Sequence, residues 1–242
     1  MHRRRHYIYP DKQTLVNAFV CDVNKFIRQA VQSDVPLNLA ISGGNTPLDV
    51  FEQICRATRK EDWTNVHIYW VDERCVSMED PESNYGNARL GFIEHMELRE
   101  DQVHPIDGEA DPEAEALRYA KLLEKRLPLD KGVPVFDWIW LGLGDDGHTA
   151  SIFPHEMELW GSDRHVVVAT HPKSGQKRIS LTGQVINASR RIAFLVAGQT
   201  KAPIVNQIVM KEGSYLEFPA FYVSPQSNHL EWFLDMEATS WM

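Results

Sequence analysis

A glycine-rich segment in the middle of the sequence contains the residues best suited to acid–base chemistry. Gly142-Leu-Gly-Asp-Asp-Gly-His-Thr-Ala-Ser151 places Asp146 and His148 two residues apart. A carboxylate beside an imidazole makes it a better base and fixes its orientation, as a general base working near neutral pH requires. The glycines let the loop fold back on itself, and Thr149 or Ser151 is suited to cap a short helix after it. We expect His148 to be an acid–base residue that Asp146 orients.

A second segment, Ser42-Gly-Gly-Asn-Thr-Pro47, is suited to holding a phosphate group. Gly43 and Gly44 allow a tight turn and a close approach of the backbone to a ligand. Thr46 is expected as the N-cap and Pro47 as the first residue of the next helix. Free N–H groups and the positive end of the helix dipole then favour an anion. The segment lacks the ending of a Walker A loop, so it implies no nucleotide.

Charged residues follow other apolar runs. Asp72-Glu-Arg74 ends one of them, and alternation along the chain directs Asp72 and Arg74 to one side and Glu73 to the other. Such a run favours a functional site, with a structural ion-pair network as the alternative. Arg178 and Lys201 are cations at strand boundaries. Together with a turn lined by N–H groups, they supply the charge to hold a phosphate.

The elements that must position these residues alternate between buried strands and amphipathic helices. Strands are predicted at Leu37–Ile41, Val66–Val71, Phe136–Leu143, His165–Thr170, Arg178–Leu181 and Arg191–Ala197, with a closing pair at Phe218–Val223 and Leu230–Leu234. Helices are predicted over Pro47–Arg56, from about Asn84, over Pro112–Arg126 and from about Lys201 to Lys211. This order implies an α/β fold with a mostly parallel sheet covered on both faces, in which ligands bind beyond the carboxyl ends of the strands. No linker divides the 242 residues, so we expect one domain, 1–242.

Within the apolar faces of these helices we expect Leu48, Phe51 and Ile54 in the first, and Leu117, Leu122 and Leu123 in the longest.

The composition argues against several classes of partner. A net charge of −9 disfavours nucleic acid. Cys21, Cys55 and Cys75 are widely spaced, which disfavours a disulfide framework and a zinc site and fits a reducing compartment. The basic start, Met1–His6, is followed by no signal-like apolar run, and we expect it to be a frayed end. No run is long enough to span a bilayer, so a cytoplasmic protein without membrane contact is expected.

The ordered set of motifs resembles the 6-phosphogluconolactonases, within a superfamily that includes glucosamine-6-phosphate deaminase. The motifs that carry this resemblance are Ser42–Pro47, Asp72–Arg74 followed by Ser83–Gly86, Gly142–Ser151 with Phe153-Pro154, Arg178–Thr182, Ala197–Lys201 and Trp232–Asp235. The resemblance implies a Rossmann-like three-layer α/β sandwich. It also implies hydrolysis of 6-phospho-D-glucono-1,5-lactone in the oxidative pentose phosphate pathway, with no cofactor and no metal.

The resemblance also implies the roles of single residues. His148 would be the acid–base residue and Asp146 its orienting partner, while Arg74, supported by Asp72, would hold the substrate or the developing oxyanion. The groups implied for the phosphate are Gly43, Gly44, Thr46, Arg178 and Lys201. Asn45 stands where Ser or Thr is common, which leaves its backbone contact in place but puts a side-chain contact in doubt. The sequence does not indicate an oligomeric state.

Three other functions remain open at this point. An amino-sugar-phosphate isomerase or deaminase would use the same fold. A hydrolase with Ser42 as nucleophile would use Ala40–Gly44 as a degenerate nucleophile elbow. A non-catalytic sugar-phosphate sensor would bind phosphate without turnover, but no basic helical pair precedes Leu37 to bind DNA.

Overall fold

A computed structural model describes residues 4–33 and 35–242, and within them the central element is a seven-stranded sheet whose neighbouring strands all run parallel. The strands of the described chain are β1 (Arg4–Tyr9), β2 (Leu37–Ile41), β3 (Val66–Trp70), β4 (Asp72–Arg74), β5 (Val103–His104), β6 (Leu129–Asp130), β7 (Val133–Pro134), β8 (Trp138–Leu141), β9 (Val166–Thr170), β10 (Lys177–Leu181), β11 (Ile192–Val196) and β12 (Leu230–Asp235). The order in the central sheet is β1-β12-β11-β8-β2-β3-β5.

Helices flank this sheet. They are α1 (Lys12–Ser33), α2 (Asn45–Ala57), α3 (Asn84–Ala88), α4 (Glu94–Met96), α5 (Pro112–Arg126), α6 (Met157–Trp160), α7 (Gly183–Ala188) and α8 (Ala202–Met210), with a π-helical turn at Arg89–Ile93. Every residue of β2, β8, β11 and β12 is buried. Because successive side chains of a strand point to opposite faces, both faces of the sheet are covered. The predicted three-layer α/β fold is confirmed.

The strand order reverses between β2 and β8. From β2 the chain proceeds outward through β3 to β5, and it then returns to add β8, β11 and β12 on the other side of β2. Loops that follow neighbouring strands diverge at such a reversal and leave a crevice beyond the carboxyl ends. The loops after β2 and β8 are the two glycine-rich segments, so the fold brings them together.

A second, antiparallel sheet of β4, β10 and β9 lies beside this crevice. Its register pairs Arg74 with Arg178 and Asp72 with Ser180. The strand predictions for β9 and β10 are confirmed, whereas Asp72–Arg74 was not predicted to be a strand. The short sheet therefore turns two separate sequence motifs into neighbours.

The longest helix, α1, was not predicted, although its apolar residues recur with helical spacing. Its fully buried side chains are Leu15, Val16, Phe19, Val20, Val23 and Ile27. Phe19 makes edge contacts with Trp140 and Phe233, at centroid distances of 5.2 Å and 5.0 Å. In the described residues, no helix has both the length and the apolar character needed to cross a membrane.

The prediction of a frayed basic start is wrong from Arg4 onward. Residues 4–9 form the edge strand β1 and pair in parallel with β12. The rings of Tyr7 and Tyr9 lie 5.2 Å and 6.2 Å from that of Phe233, so side-chain packing reinforces the main-chain pairing. Residues 1–3 lie outside the described residues.

Other boundaries differ locally. Phe218–Val223 contains a 3-10 turn, Pro219–Tyr222, and not a strand, because Pro219 has no N–H to donate to a ladder. Leu48 and Leu117 are exposed, since the buried faces of their helices carry Val50, Phe51 and Ile54 in α2, and Ala116, Tyr119 and Leu123 in α5. Helix α5 itself begins and ends as predicted.

Candidate active site

Two adjoining cavities occupy the crevice at the carboxyl edge of the sheet. The first, of about 280 Å³, is lined by residues from both glycine-rich loops and from β4 and β10, including Gly43, Asp72, Arg74, His148, Arg178 and Lys201. The second, of about 460 Å³, is lined by the start of α2 and the loop after β11. Both share Gly43, Gly44, Asp145 and Lys201. Together they form one elongated site, which we call the crevice site.

A tight turn after β8 holds His148 against Asp146. Gly144 N–H donates to the carbonyl of His148 at 2.9 Å, and Gly147 adopts the left-handed conformation with φ of 85°. Asp146 Oδ1 lies 2.5 Å from His148 Nδ1 and accepts the His148 backbone N–H at 3.1 Å. An ionised carboxylate can only accept, so Nδ1 carries the proton and Nε2 keeps its lone pair.

The state of Asp146 fits this arrangement. Burial raises the pKa of Asp146, but hydrogen bonds from the His148 ring and backbone, together with the electrostatic interaction with that ring, lower it more, to about 2. The carboxylate is therefore ionised at neutral pH and available to orient the ring. The turn also needs glycine, since a Cβ on Gly144 would lie 2.1 Å from His148 Nδ1 and 2.6 Å from Asp146 Oδ1.

Neither Thr149 nor Ser151 caps a helix, which corrects the prediction. Thr149 Oγ1 donates to the carbonyl of Gly142 at 2.9 Å, and Ser151 Oγ donates to Asp72 Oδ2 at 2.6 Å. The next turn of helix begins only at Pro154. The Thr149 hydroxyl thus closes the loop, and the Ser151 hydroxyl connects the loop to β4. Both hydroxyls are buried and therefore need hydrogen-bond partners.

The three charged residues of β4 divide as alternation predicts. Asp72 and Arg74 line the crevice site, and Glu73 lines a different cavity. Buried Glu73 accepts hydrogen bonds from the backbone N–H groups of Asn84 and Tyr85, both at 2.7 Å. It therefore anchors the start of α3 beside the site.

Arg74 and Arg178 are cross-strand partners on β4 and β10. Arg74 Nη1 donates to the carbonyl of Glu82 at 2.6 Å, while its buried Nε has no hydrogen-bond partner within the described chain. Burial lowers the pKa of Arg178, and the like charge of Arg74 lowers it further. Two guanidinium groups placed side by side in a cleft favour an anionic ligand.

The Ser42–Pro47 turn begins its helix earlier than predicted. The N-cap is Gly44 and not Thr46, and α2 already begins at Asn45, two residues before Pro47. Gly44 has a φ of 106°, a conformation that glycine adopts without strain, and this allows the earlier start. Asn45 and Thr46 line the second cavity, where the first backbone N–H groups of the helix lack intrahelical partners. Such a helix start is suited to an anion.

The loop after β11 presents Lys201. Buried Asp235 accepts the N–H of Gly198 with both oxygens, at 3.1 Å and 3.0 Å, and so fixes the beginning of the loop. Lys201 ends a 3-10 turn, and its Nζ lies 2.6 Å from Asp145 Oδ1. The lysine lines both cavities and lies at their junction.

The structure thus brings nearly all of the predicted residues to one place. Those that line the first cavity are Gly43, Gly44, Asp72, Arg74, His148, Arg178 and Lys201, and Asn45 and Thr46 line the second. Asp146 contacts the site through His148. Ser42 lines it too, but its hydroxyl donates to the carbonyl of Trp140 at 2.8 Å, an acceptor that cannot take up its proton as a base would.

Three residues of the site were not singled out from the sequence. Asn84 Nδ2 donates to the Asp72 carbonyl at 2.9 Å, and its Oδ1 lies 1.7 Å from where a Cβ on Gly43 would be. The buried ring of Phe153 lies 4.7 Å from the His148 ring and 5.6 Å from the Arg178 guanidinium carbon. Asp145 contacts Lys201. All three lie in motifs that carry the family resemblance, but no local pattern indicates what they touch.

A larger cavity, of about 920 Å³, lies near the amino ends of β2, β11 and β12. Most of its charged groups pair with one another. Buried Arg191 bonds to Asp22 and Glu231, and Arg190 Nη1 donates to Asp137 Oδ1 at 2.6 Å. These groups are therefore engaged in ion pairs with one another. In the part of the chain that the structure describes, no three His, Cys, Asp or Glu side chains cluster as metal ligands.

Comparison with known proteins gives a consistent result. A family model described as glucosamine-6-phosphate isomerases/6-phosphogluconolactonase matches residues 10–232. The 6-phosphogluconolactonase of Haemophilus influenzae is 38% identical over 209 residues, covering 86% of this chain and 88% of that protein. The 6-phosphogluconolactonase of Synechocystis is 38% identical over 230 residues, covering 94% of each. The solved devB protein superposes with a TM-score of 0.92 at 38% identity and covers 98% of this chain and 99% of that one.

Proposed function

The chain belongs to the family of glucosamine-6-phosphate isomerases and 6-phosphogluconolactonases, and we propose that its crevice site hydrolyses 6-phospho-D-glucono-1,5-lactone to 6-phosphogluconate. This is the lactone-opening reaction of the oxidative pentose phosphate pathway. The observation that carries the proposal is the position of the His148 imidazole. It lines a cavity beside two arginines, and its Nδ1 is hydrogen-bonded to Asp146.

In the first step, His148 Nε2 takes a proton from a water molecule, and the resulting hydroxide attacks the lactone carbonyl carbon. Asp146 supports this step because its ionised carboxylate holds the Nδ1–H tautomer and stabilises the imidazolium that forms. The carbonyl oxygen becomes the oxyanion of a tetrahedral intermediate.

Arg74 is the group proposed to stabilise that oxyanion. Its Nε is buried without a hydrogen-bond partner in the described residues, so a donor is left for a ligand. Asp72 lies on the same side of β4 and is held by Ser151, which keeps a carboxylate beside the two arginines and limits their repulsion. Donors already fixed before the reaction stabilise developing charge at little reorganisation cost.

In the second step the intermediate collapses. The bond between the carbonyl carbon and the ring oxygen breaks, and His148 returns its proton to that oxygen, which leaves as the hydroxyl group of the open-chain acid. No atom beyond those of water and lactone is needed, and the sequence implies no cofactor or metal. The single residue His148 therefore serves in turn as base and acid.

The phosphate is assigned to groups around the junction of the two cavities. Residues Gly43–Thr46, which lead into α2, offer backbone N–H groups, Lys201 offers charge at the junction, and Arg178 adds charge from the first cavity. Binding of this remote group orients the lactone ring against His148.

We also propose that residues 1–242 form one lactonase domain and that it works in the cytoplasm. The first proposal is supported by a buried apolar cluster running from Leu15 to Ala238, and the second by three free cysteines.

The test is the rate of acid release from freshly generated phospholactone, above its spontaneous hydrolysis, with EDTA-treated protein. Turnover that survives EDTA and falls to the uncatalysed rate in His148→Ala is expected. His155→Ala is a matched control, because that imidazole is half exposed and outside both cavities. If the wild-type protein did not accelerate lactone hydrolysis but did turn over glucosamine 6-phosphate, the lactonase proposal would be wrong and a deaminase would be indicated.

A further inference from the structure

Asp145 lies among the groups assigned to the phosphate, yet it has no part in the acid–base step. Its Oδ1 is 2.6 Å from Lys201 Nζ, and the hydroxyl of Thr200 donates to the same oxygen at 3.4 Å. Asp145 lines both cavities of the crevice site, as do Gly43 and Gly44. A carboxylate therefore stands at the junction where an anion is expected to bind.

The neighbouring aspartates of the loop point to different partners. Asp146 is bound to His148, whereas Asp145 is bound to Lys201. The Asp145 side chain is 65% exposed and that of Lys201 only 24%. The carboxylate can thus rotate into solvent while the ammonium group stays in the site.

We propose that Asp145 is a specificity-determining residue that competes with the substrate phosphate for Lys201. In the ligand-free site the Asp145 carboxylate forms an ion pair with the Lys201 ammonium group. A phosphate oxygen must either displace this carboxylate or bind beside it and be repelled by its negative charge. This weakens the binding of phosphorylated substrate, product and inorganic phosphate alike. The proposal rests on the proposed function, because it takes Lys201 as a phosphate ligand.

The effect should appear in KM and leave kcat largely unchanged. Asp145 acts on the phosphate, which does not change during the reaction, so it affects the ground state and the transition state equally. Weaker holding of the phosphate also favours release of 6-phosphogluconate, which carries a second negative charge on the new carboxylate.

The experiment compares wild type with Asp145→Asn, which keeps the shape and removes the charge. We expect KM for the phospholactone and the inhibition constant of inorganic phosphate to fall roughly three- to tenfold at low ionic strength, with a smaller change at about 0.5 M salt, because the pair is partly exposed. KM for unphosphorylated gluconolactone should not change. Asp163→Asn makes the same charge change at an exposed position outside both cavities and should leave both constants unchanged.

Lys201→Ala distinguishes failure of the proposed phosphate site from failure of the proposed competition by Asp145. An unchanged KM for the phospholactone in Lys201→Ala would remove Lys201 from the phosphate site, and the role of Asp145 with it. A raised KM in Lys201→Ala together with an unchanged or raised phosphate constant in Asp145→Asn would overturn the competition alone. In the double variant the gain from Asp145→Asn should disappear, since the contested cation is gone. Thermal unfolding of each variant checks that the fold is intact.

Discussion

Asp146 Oδ1 lies 2.5 Å from His148 Nδ1, and this contact determines which imidazole nitrogen can take a proton. A carboxylate acceptor keeps hydrogen on Nδ1 and leaves Nε2 basic. The short loop between the two residues makes the contact local, because Gly147 turns the chain back with a positive φ. The proposed acid–base role of His148 therefore depends on one tautomer.

Asp146→Asn should reverse that tautomer. The amide can donate to Nδ1, which moves the proton to Nε2 and removes the base. We expect kcat for the phospholactone to fall on the order of 10²- to 10⁴-fold with little change in KM. Steady-state kinetics measure the loss, and an unchanged inhibition constant for inorganic phosphate serves as the control. A kcat within threefold of wild type would show that the tautomer does not matter.

Gly144→Ala should abolish activity by displacing the same pair. The new Cβ would meet His148 Nδ1 at 2.1 Å, too close for the ring to remain in place. Gly91→Ala is the matched control, because a Cβ there meets nothing within 4 Å. Comparison of kcat for the two variants tests the expectation, and full activity in Gly144→Ala would mean that the loop relaxes freely.

Arg178→Ala should discriminate between substrates. If the guanidinium binds phosphate, kcat/KM for the phospholactone should fall roughly 10²-fold while that for gluconolactone changes little, as loss of a charge-assisted hydrogen bond implies. Arg178→Lys should recover only part of the activity, since a lysine lacks the planar fork of donors. Equal losses on the two lactones would instead give Arg178 a role in the chemical step.

Phe153→Leu should weaken catalysis indirectly, through His148 and Arg178, because Phe153 is not proposed to contact the substrate. Its ring packs against both His148 and Arg178, so the smaller side chain leaves both free to shift. We expect a loss in kcat/KM of about tenfold. Phe136→Leu removes an equally buried ring that packs on Tyr69 away from the site, and should cost similar stability with normal kinetics. Identical kinetic losses in both would attribute the effect to stability alone.

Acid should destabilise the fold through a histidine pair on β3 and β5. His67 Nδ1 lies 3.1 Å from His104 Nε2, and burial together with the charge of His67 lowers the pKa of His104 to about 4. Between that value and 6.5, the ordinary value, the unfolded chain binds more protons than the folded one. The free energy of unfolding therefore decreases as pH falls through this window, by up to about 3 kcal/mol.

Urea unfolding at pH 7.5 and pH 4.5 measures this decrease. His104→Gln cannot take the proton and should show a smaller difference between the two pH values, whereas His95→Gln, an exposed control, should behave as wild type. A His104→Gln protein with the wild-type pH dependence would assign the acid sensitivity to other groups.

Much of the fold follows from patterns that the sequence displays locally. The apolar spacing predicts helix α5 to the residue, and in the structure Asp111 caps it and Pro112 begins it. The buried strands β2, β3 and β11 were recognised from short apolar runs. Helix α1 was missed although its spacing was visible, and β1 was missed because six mainly polar and aromatic residues become a strand only when β12 offers them an edge.

The sequence by itself determined the chemistry of each loop. The left-handed turn at Gly147, the pairing of Asp146 with His148 and the opposite directions of Asp72 and Glu73 depend on residues within a few positions of one another. Only the tertiary structure decided which loops meet. Arg178 lies beside Arg74 because β10 pairs with β4, Ser151 reaches Asp72 across 79 positions, and Lys201 meets Asp145 because β11 and β8 are neighbours in the sheet. Such contacts depend on strand order and packing, which local spacing does not encode.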